Sequence, residues 1–503
     1  MSEAREMPAV PTRYFSTAGR GMEYFVAQEV KNKLSAQEVE HVSGKVFFTA
    51  NSDLSKLKTL KSGERLFLLL KKLPPLSLPK NKGRGLYTIK QCVIGEPHCW
   101  LDTVSVWQNL QDKEDNPFSL KRKAEETQTS VTSKKWKEEP TYIPVHAECH
   151  HFKKQIDNAL SVIHEDHGNN NKNIFPEEPA ESQKKMPLAN IQPCISFRVS
   201  CRCSGTVAKR FTSQEVGRVI GIALIKQFGW KADLRNPYLE IFVHLNDIYS
   251  VVGFPVLRHP LASREYIQCT GLRSTVAWAM ASLAEIHNGT FVVDPMCGLG
   301  TILIEAAKEW PDVHYLGFDI NPSQLQGTYE NVRAANLLDK ISLLKANAVN
   351  VPSPTFSVDV VISDVPFGKK FKATKDVKLL LPDILQEMER VLRVGGILVL
   401  LLSQDLYNHI NGYSIHSPRI NRNLSSGNDD ISKLEIVKRT YEEKMKGSPT
   451  EILSGMQEIA QEPLTSKMTY FGSLMPVEFH GVSLGVTEAF IYKWKKISSA
   501  GLK

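Results

Sequence analysis

From Leu261 onward the chain alternates between two hydrophobic periods. Short Val/Ile/Leu runs around Phe291, Tyr315, Ile341, Val358 and across Gly396–Leu402 predict strands. Between them, apolar residues recur at helical spacing in Thr275–Ile286, Ile302–Trp310, Ser323–Asn336 and Lys378–Leu392. Strand–helix alternation of this kind predicts an α/β domain over residues 261–503 with a doubly wound, mostly parallel sheet. The strands are almost continuously apolar, as a sheet covered on both faces requires. Two further strands, Pro476–Leu484 and Glu488–Trp494, close the pattern, and the polar stretch 405–466 is expected to be a disordered insert.

The first half carries a different pattern. Arg13–Thr17 is a candidate strand, the turn Gly19-Arg20-Gly21 leads into a helix over Met22–Leu34, and Lys45–Phe48 and Arg65–Lys72 flank a helical Leu54–Leu60. Residues 1–72 are therefore expected to form a small α+β domain. Residues 73–190 are dominated by Lys, Glu, Asn, Ser and Pro, apart from apolar patches around Cys99–Leu110, and are expected to be a largely disordered insert. Order resumes over 191–258. Ser196–Cys201 is strand-like, and Thr212-Ser213-Gln214-Glu215 is a capping box before the helix Val216–Gln227. Leu239–Leu245 and Ile248–Phe254 face each other across Asn246-Asp247 as a hairpin.

Composition narrows the class. The net charge of +8 is compatible with a nucleic-acid partner and does not require one. No apolar run is long enough for a membrane span, and Met1–Arg13 lacks the apolar core of a secretory signal. Eight cysteines occur without a C-x-x-C pair, which fits free thiols in cytosol or nucleus and no resident metal. Lys121-Arg122-Lys123 with Lys134-Lys135 reads either as a nuclear import signal or as a solvated charged tract.

Two turns carry the chemistry. The strand at Phe291 runs into Asp294-Pro295-Met296-Cys297-Gly298-Leu299-Gly300-Thr301, where Gly298 and Gly300 allow close backbone approach to a ligand at the start of a helix. The third glycine of a dinucleotide fingerprint is missing. The Asp294 carboxylate repels phosphate and attracts an ammonium or sulfonium, which favours S-adenosyl-L-methionine over NAD. Asp319, ending the next strand, is placed to accept ribose hydroxyls. Cys297 reads as a small apolar filler rather than a nucleophile. Asn347 could meet the adenine edge or cap its turn, and Thr275 could close the cofactor pocket or simply open its helix. The second turn, Ser363-Asp364-Val365-Pro366-Phe367-Gly368, ends the fourth strand at the sheet edge where α/β folds bind ligands. An exocyclic amine is a poor nucleophile because its lone pair is delocalised. The Asp364 carboxylate and the Val365 carbonyl can accept its two N–H bonds, Pro366 stiffens the turn, and Phe367 can stack on the base.

These motifs, with Ser16–Glu23, Phe197–Cys203 and Leu234-Arg235-Asn236-Pro237, resemble the THUMP-domain RNA methyltransferases over about three quarters of the chain. The resemblance implies a Rossmann-like methyltransferase domain behind a ferredoxin-like piece and a THUMP core that together bind RNA. It implies N2-methylation of a guanosine in a structured small RNA (tRNA or U6 spliceosomal snRNA), preferably in the nucleus. It also implies a small zinc-binding activator subunit as heterodimer partner. By the same resemblance Asp364 takes the amine and Phe367 stacks, while Asp294, Gly298, Gly300 and Asp319 hold the cofactor; Pro295, Cys297 and Thr301 of the same loop are further cofactor-binding candidates. The chain departs from the family at Val365, where a second proline is common, and at Asn347, where an acid is often found. Candidate RNA contacts are Arg202, Lys209, Arg210 and Arg218. Two alternatives stay open: a protein glutamine N-methyltransferase, since the same turn suits any planar nitrogen, and a non-catalytic RNA-binding protein.

Overall fold

The computed structural model describes residues 11–51, 54–112, 195–366, 374–416, 471–485 and 487–498. Two sheets organise them. The first has eight strands in the order β2-β3-β1-β4-β8-β7-β5-β6. They are β1 (Thr12–Thr17), β2 (Gln37–Val42), β3 (Lys45–Ala50), β4 (Arg65–Leu73), β5 (Ser196–Cys203), β6 (Lys231–Ala232), β7 (Leu239–Leu245) and β8 (Ser250–Pro255). Its helices are α1 (Glu23–Leu34), α2 (Leu54–Leu57), α3 (Lys82–Ile94), α4 (Pro97–Asp112), α5 (Gly205–Arg210) and α6 (Ser213–Phe228). The expected capping box is present: Thr212 accepts the Glu215 N–H, and Glu215 reaches back to the Thr212 N–H. Gly229 ends α6 in the left-handed conformation, at φ 67°.

The two α+β pieces expected from the sequence are parts of one sheet. β4 pairs antiparallel with β8 from Phe67↔Pro255 to Leu73↔Ser250. One continuous core runs across the join, from Tyr14, Phe48 and Leu68 to Phe197, Ile241 and Phe254. The expected insert over 73–190 needs correction at its start, because residues 82–94 and 97–112 are helical. Trp100, Val104 and Trp107 fall on one helical face and are buried in this core. The Trp100 indole donates to the Ile94 carbonyl at 2.8 Å and the Trp107 indole to the Pro255 carbonyl at 2.8 Å. The Lys, Pro and Gln residues around this segment dilute its apolar signal without removing it. Residues 113–190 of that insert lie outside the described residues.

The second sheet has seven strands in the order β11-β10-β9-β12-β13-β15-β14. They are β9 (Phe291–Asp294), β10 (His314–Asp319), β11 (Ile341–Lys345), β12 (Val358–Asp364), β13 (Leu392–Ser403), β14 (Leu474–Ser483) and β15 (Glu488–Lys496). The helices are α7 (Ser274–Leu283), α8 (Thr301–Glu309), α9 (Pro322–Ala334), α10 (Thr374–Val391) and α11 (Gln404–His416). β9 to β13 are parallel, and β15 runs antiparallel between β13 and β14. This is the expected doubly wound α/β fold. Consecutive strand residues feed opposite cores, which explains the unbroken apolar runs: Val292, Ile397 and Val399 pack beneath α7 and α8, whereas Val293, Leu398 and Leu400 pack beneath α10 and α11. The chain leaves β9 first towards β10 and β11, then crosses to β12 on the other side. That reversal opens a crevice at the carboxyl ends of β9 and β12. The expected insert over 405–466 also needs correction at its start: residues 404–416 are helical, with Leu406, Tyr407 and Ile410 of α11 buried, and residues 417–470 lie outside the described ones. Among the described residues, no helix is long and apolar enough to cross a membrane.

Candidate active site

The loop between β9 and α8 is held by backbone bonds that need its glycines. Gly298 and Gly300 have φ of 52° and 77°. A Cβ on Gly300 would stand 2.5 Å from the Thr328 methyl. The Cys297 N–H donates to the Phe318 carbonyl at 2.7 Å, and the Gly298 N–H to the Asp319 carboxylate at 3.0 Å. Helix α9 supports the loop from behind, where the Thr328 hydroxyl donates to the Gly298 carbonyl at 2.5 Å and the Asn331 amide to the Leu299 carbonyl at 2.9 Å. Asn331 also accepts the Gln268 and Cys269 N–H groups, so one side chain ties three segments together. The sequence reading missed both residues. Their signal is a pair of polar residues three apart on α9, both buried beside Val332.

Three carboxylates converge at the crevice. Asp294 ends β9, is fully buried, and accepts from the Ser363 hydroxyl at 2.7 Å and the Met296 N–H at 3.1 Å through one oxygen. Its other oxygen is buried with no partner. Burial, aided by the neighbouring Asp364 and Asp319 charges, pushes its carboxyl up to about 7. Asp319 ends β10, and its two oxygens accept the Gly298 and Asn321 N–H groups at 3.0 and 2.8 Å. Lone pairs remain on both for a diol. Asp364 ends β12, keeps part of its surface open, and has its carboxyl pushed up to about 7 by burial.

Other expected residues fall around this edge. The Thr275 hydroxyl, in the first turn of α7, is buried with no partner, and Thr301 and Pro295 are buried. Cys297 is buried against Gly317, and burial holds its thiol well above the usual range, which fits a filler and not a nucleophile. Asn347 is exposed and caps its turn by accepting the Val349 N–H at 3.2 Å, one residue after Ala346 bonds to the Asp319 carbonyl. Val365 is buried, and its N–H bonds to the Leu401 carbonyl at 3.2 Å, which anchors the turn beyond Asp364. Pro366 is half-buried, and Phe367 lies outside the described residues.

The crevice fits S-adenosyl-L-methionine. The unpartnered Asp294 oxygen suits an ammonium, Asp319 suits a ribose diol, and the glycine turn leaves room for backbone contact.

The basic candidates Arg202, Lys209, Arg210 and Arg218 are all exposed, on β5, α5 and α6. Arg210 is partly spent internally, because its guanidinium donates to the Leu78 and Pro79 carbonyls and lies over the Phe211 ring.

Residues 262–408 match a methyltransferase-domain family described as RMKL-like. The chain is 49% identical to U6 snRNA (guanine-N(2))-methyltransferase THUMPD2 of Homo sapiens, across 100% of both proteins. It is 29% identical to tRNA (guanine(6)-N(2))-methyltransferase THUMP3 of Homo sapiens, over 78% of this chain and 80% of that protein. The crystal structure of TrmN from Thermus thermophilus shares the fold, with a TM-score of 0.55 at 17% identity over 97% of this chain and 100% of that one. With 49% identity across the whole length of one relative, the chain belongs to the THUMP-domain RNA methyltransferase family.

Proposed function

We propose that this chain transfers a methyl group from S-adenosyl-L-methionine to the exocyclic N2 of a guanosine in a structured small RNA. U6 snRNA is favoured over tRNA, because the relative named for U6 is the more similar of the two. The observation that carries the reading is the Asp364 carboxylate at the end of β12, beside the crevice that Asp294 and Asp319 line.

The cofactor supplies an electrophilic methyl group. Everything else is positioning and electrostatics. Asp364, as a carboxylate, accepts one N–H of the guanine amine and the Val365 carbonyl accepts the other. This directs the nitrogen lone pair towards the donor and stabilises the positive charge that develops on nitrogen until one of its protons passes through Asp364 to solvent, leaving neutral N2-methylguanosine and S-adenosyl-L-homocysteine. Phe367 stacks on the base. Asp294 holds the cofactor's ammonium and Asp319 its ribose. The N-terminal sheet grips the RNA by shape and phosphate, with Arg202, Lys209, Arg210 and Arg218 as contacts. The working enzyme is a heterodimer with a small zinc-binding activator subunit and acts in the nucleus.

The test is methyl transfer to total small RNA by the purified chain, with and without that subunit, followed by digestion to nucleosides. N2-methylguanosine in the digest supports the reading. Label that stays with protein, as on a glutamine amide, or no transfer under either condition overturns it.

A further inference from the structure

Helix α1 belongs to the N-terminal sheet but is fastened at both ends to the catalytic half. At its start, Met22 and Phe25 are buried in the core beneath α7 and α8, and the Tyr24 ring stacks on His480 with centroids 4.8 Å apart. The preceding turn is pressed so close that a Cβ on Gly21 would overlap the Gly481 carbonyl. The Ser483 N–H bonds to the Arg20 carbonyl at 2.9 Å. At its far end the Lys33 ammonium lies 2.8 Å from Glu309, 3.0 Å from Glu29 and 5.1 Å from the centre of the Trp278 ring. The Trp278 indole also donates to Glu309, at 3.0 Å.

Glu309 ends α8, which begins directly after the cofactor loop. One turn earlier on the same helix, Glu305 is buried in a bidentate pair with Arg264, at 2.8 and 3.1 Å, and accepts the Tyr266 hydroxyl at 2.6 Å. The Arg264 guanidinium also donates to the Lys61 carbonyl at 3.1 Å. The next backbone N–H groups, of Lys61 and Ser62, are gripped by the buried Glu29 of α1. A single helix thus carries the cofactor loop at one end and is bolted to the RNA-binding sheet along the other.

We propose that α8 and α1 form a rigid strut that sets the reach from RNA on the N-terminal sheet to the methyl donor, with Lys33 and Glu309 as positioning residues. The proposal rests on the guanosine-methylating function above. Transfer requires the acceptor nitrogen and the methyl carbon to meet within a narrow distance and angle, and for an RNA gripped by the N-terminal sheet the frame between sheet and donor decides which guanosine comes within that range.

Lys33 and Glu309 are the half-open members of the network, so they can be changed without emptying a core. The experiment uses the full chain with the activator subunit, on structured small RNA, with methylated positions mapped to the nucleotide and cofactor affinity measured by calorimetry. Lys33→Met is expected to lower kcat/KM for RNA about tenfold or more and to spread methyl groups to neighbouring guanosines, with cofactor Kd kept within about twofold. Lys33→Arg is expected to restore both rate and position, and Lys33→Met with Glu309→Gln to be no worse than Lys33→Met alone. A Lys33→Met chain that keeps wild-type rate and a single methylated position overturns the proposal. So does one whose rate falls only in step with cofactor affinity. The wild-type chain with the activator subunit tests the underlying function: if it makes no N2-methylguanosine, that function fails and the strut with it.

Discussion

Replacing Asp294 by Asn separates two roles that one carboxyl plays. In the folded protein burial, beside two other carboxylates, pushes this group up from its ordinary 3.8 to about 7. Its folded value lies above its unfolded one, so its contribution to stability is complete below about pH 4 and is lost as pH rises through about 7. A carboxyl raised from 3.8 to about 7 corresponds to a loss on the order of 4 kcal/mol of stability by pH 8. Asparagine does not titrate. Its oxygen can still accept from Ser363 and Met296, and its NH₂ takes the place of the oxygen that has no partner. The ligand-free variant is therefore expected to show a flatter stability profile between pH 5 and pH 8, with its advantage over wild type growing to at most about 4 kcal/mol at the alkaline end. Cofactor binding moves the opposite way: loss of a charged acceptor for the ammonium is expected to weaken it by about tenfold or more. Urea unfolding across pH and calorimetry with S-adenosyl-L-methionine at pH 8 read the two effects. A variant with the wild-type pH slope, or with unchanged cofactor affinity, refutes the role given to Asp294.

Asp364→Ala is expected to keep RNA binding and lose about a hundredfold to a thousandfold in methyl transfer, measured by filter binding and label incorporation. Because the carboxylate is the accepting form and burial holds Asp364 near 7, wild-type kcat/KM should rise as pH increases through about 7 and level off above it. Gly300→Ala forces a positive φ on a side chain that meets Thr328, and should cost about 1–3 kcal/mol in urea unfolding with cofactor binding impaired. Trp100→Ala removes a fully buried indole and should cost about 3–5 kcal/mol, which tests whether α4 belongs to the core.

The catalytic half was legible because each of its strands is buried on both faces, so apolar runs and helical periods alternate cleanly along the chain. Asp294, Asp319 and Asp364, which the structure brings to one sheet edge, stood out in the sequence because each is an acid ending such a strand. Residues that act through packing were not found. Thr328 and Asn331 contact loop backbone, which leaves no composition signal. Strand β2 escaped because it is an edge strand with polar, largely exposed side chains and no clean alternation. Helices α3 and α4 were absorbed into the polar insert because a whole-window composition outweighed the spacing of Trp100, Val104 and Trp107. The pairing of β4 with β8 joins segments far apart in sequence, and period alone cannot identify such partners.

That pairing also dictates the order in which the molecule can be assembled during synthesis. When β4 leaves the ribosome, the strand destined to cover its open edge, β8, has yet to be translated, so an apolar hydrogen-bonding edge waits through well over a hundred further residues. The catalytic sheet repeats the delay, since β15 must slip between β13 and β14 after both exist. Both sheets therefore close late and through non-local contacts, which makes the growing chain a natural client for chaperones that shield unpaired strands.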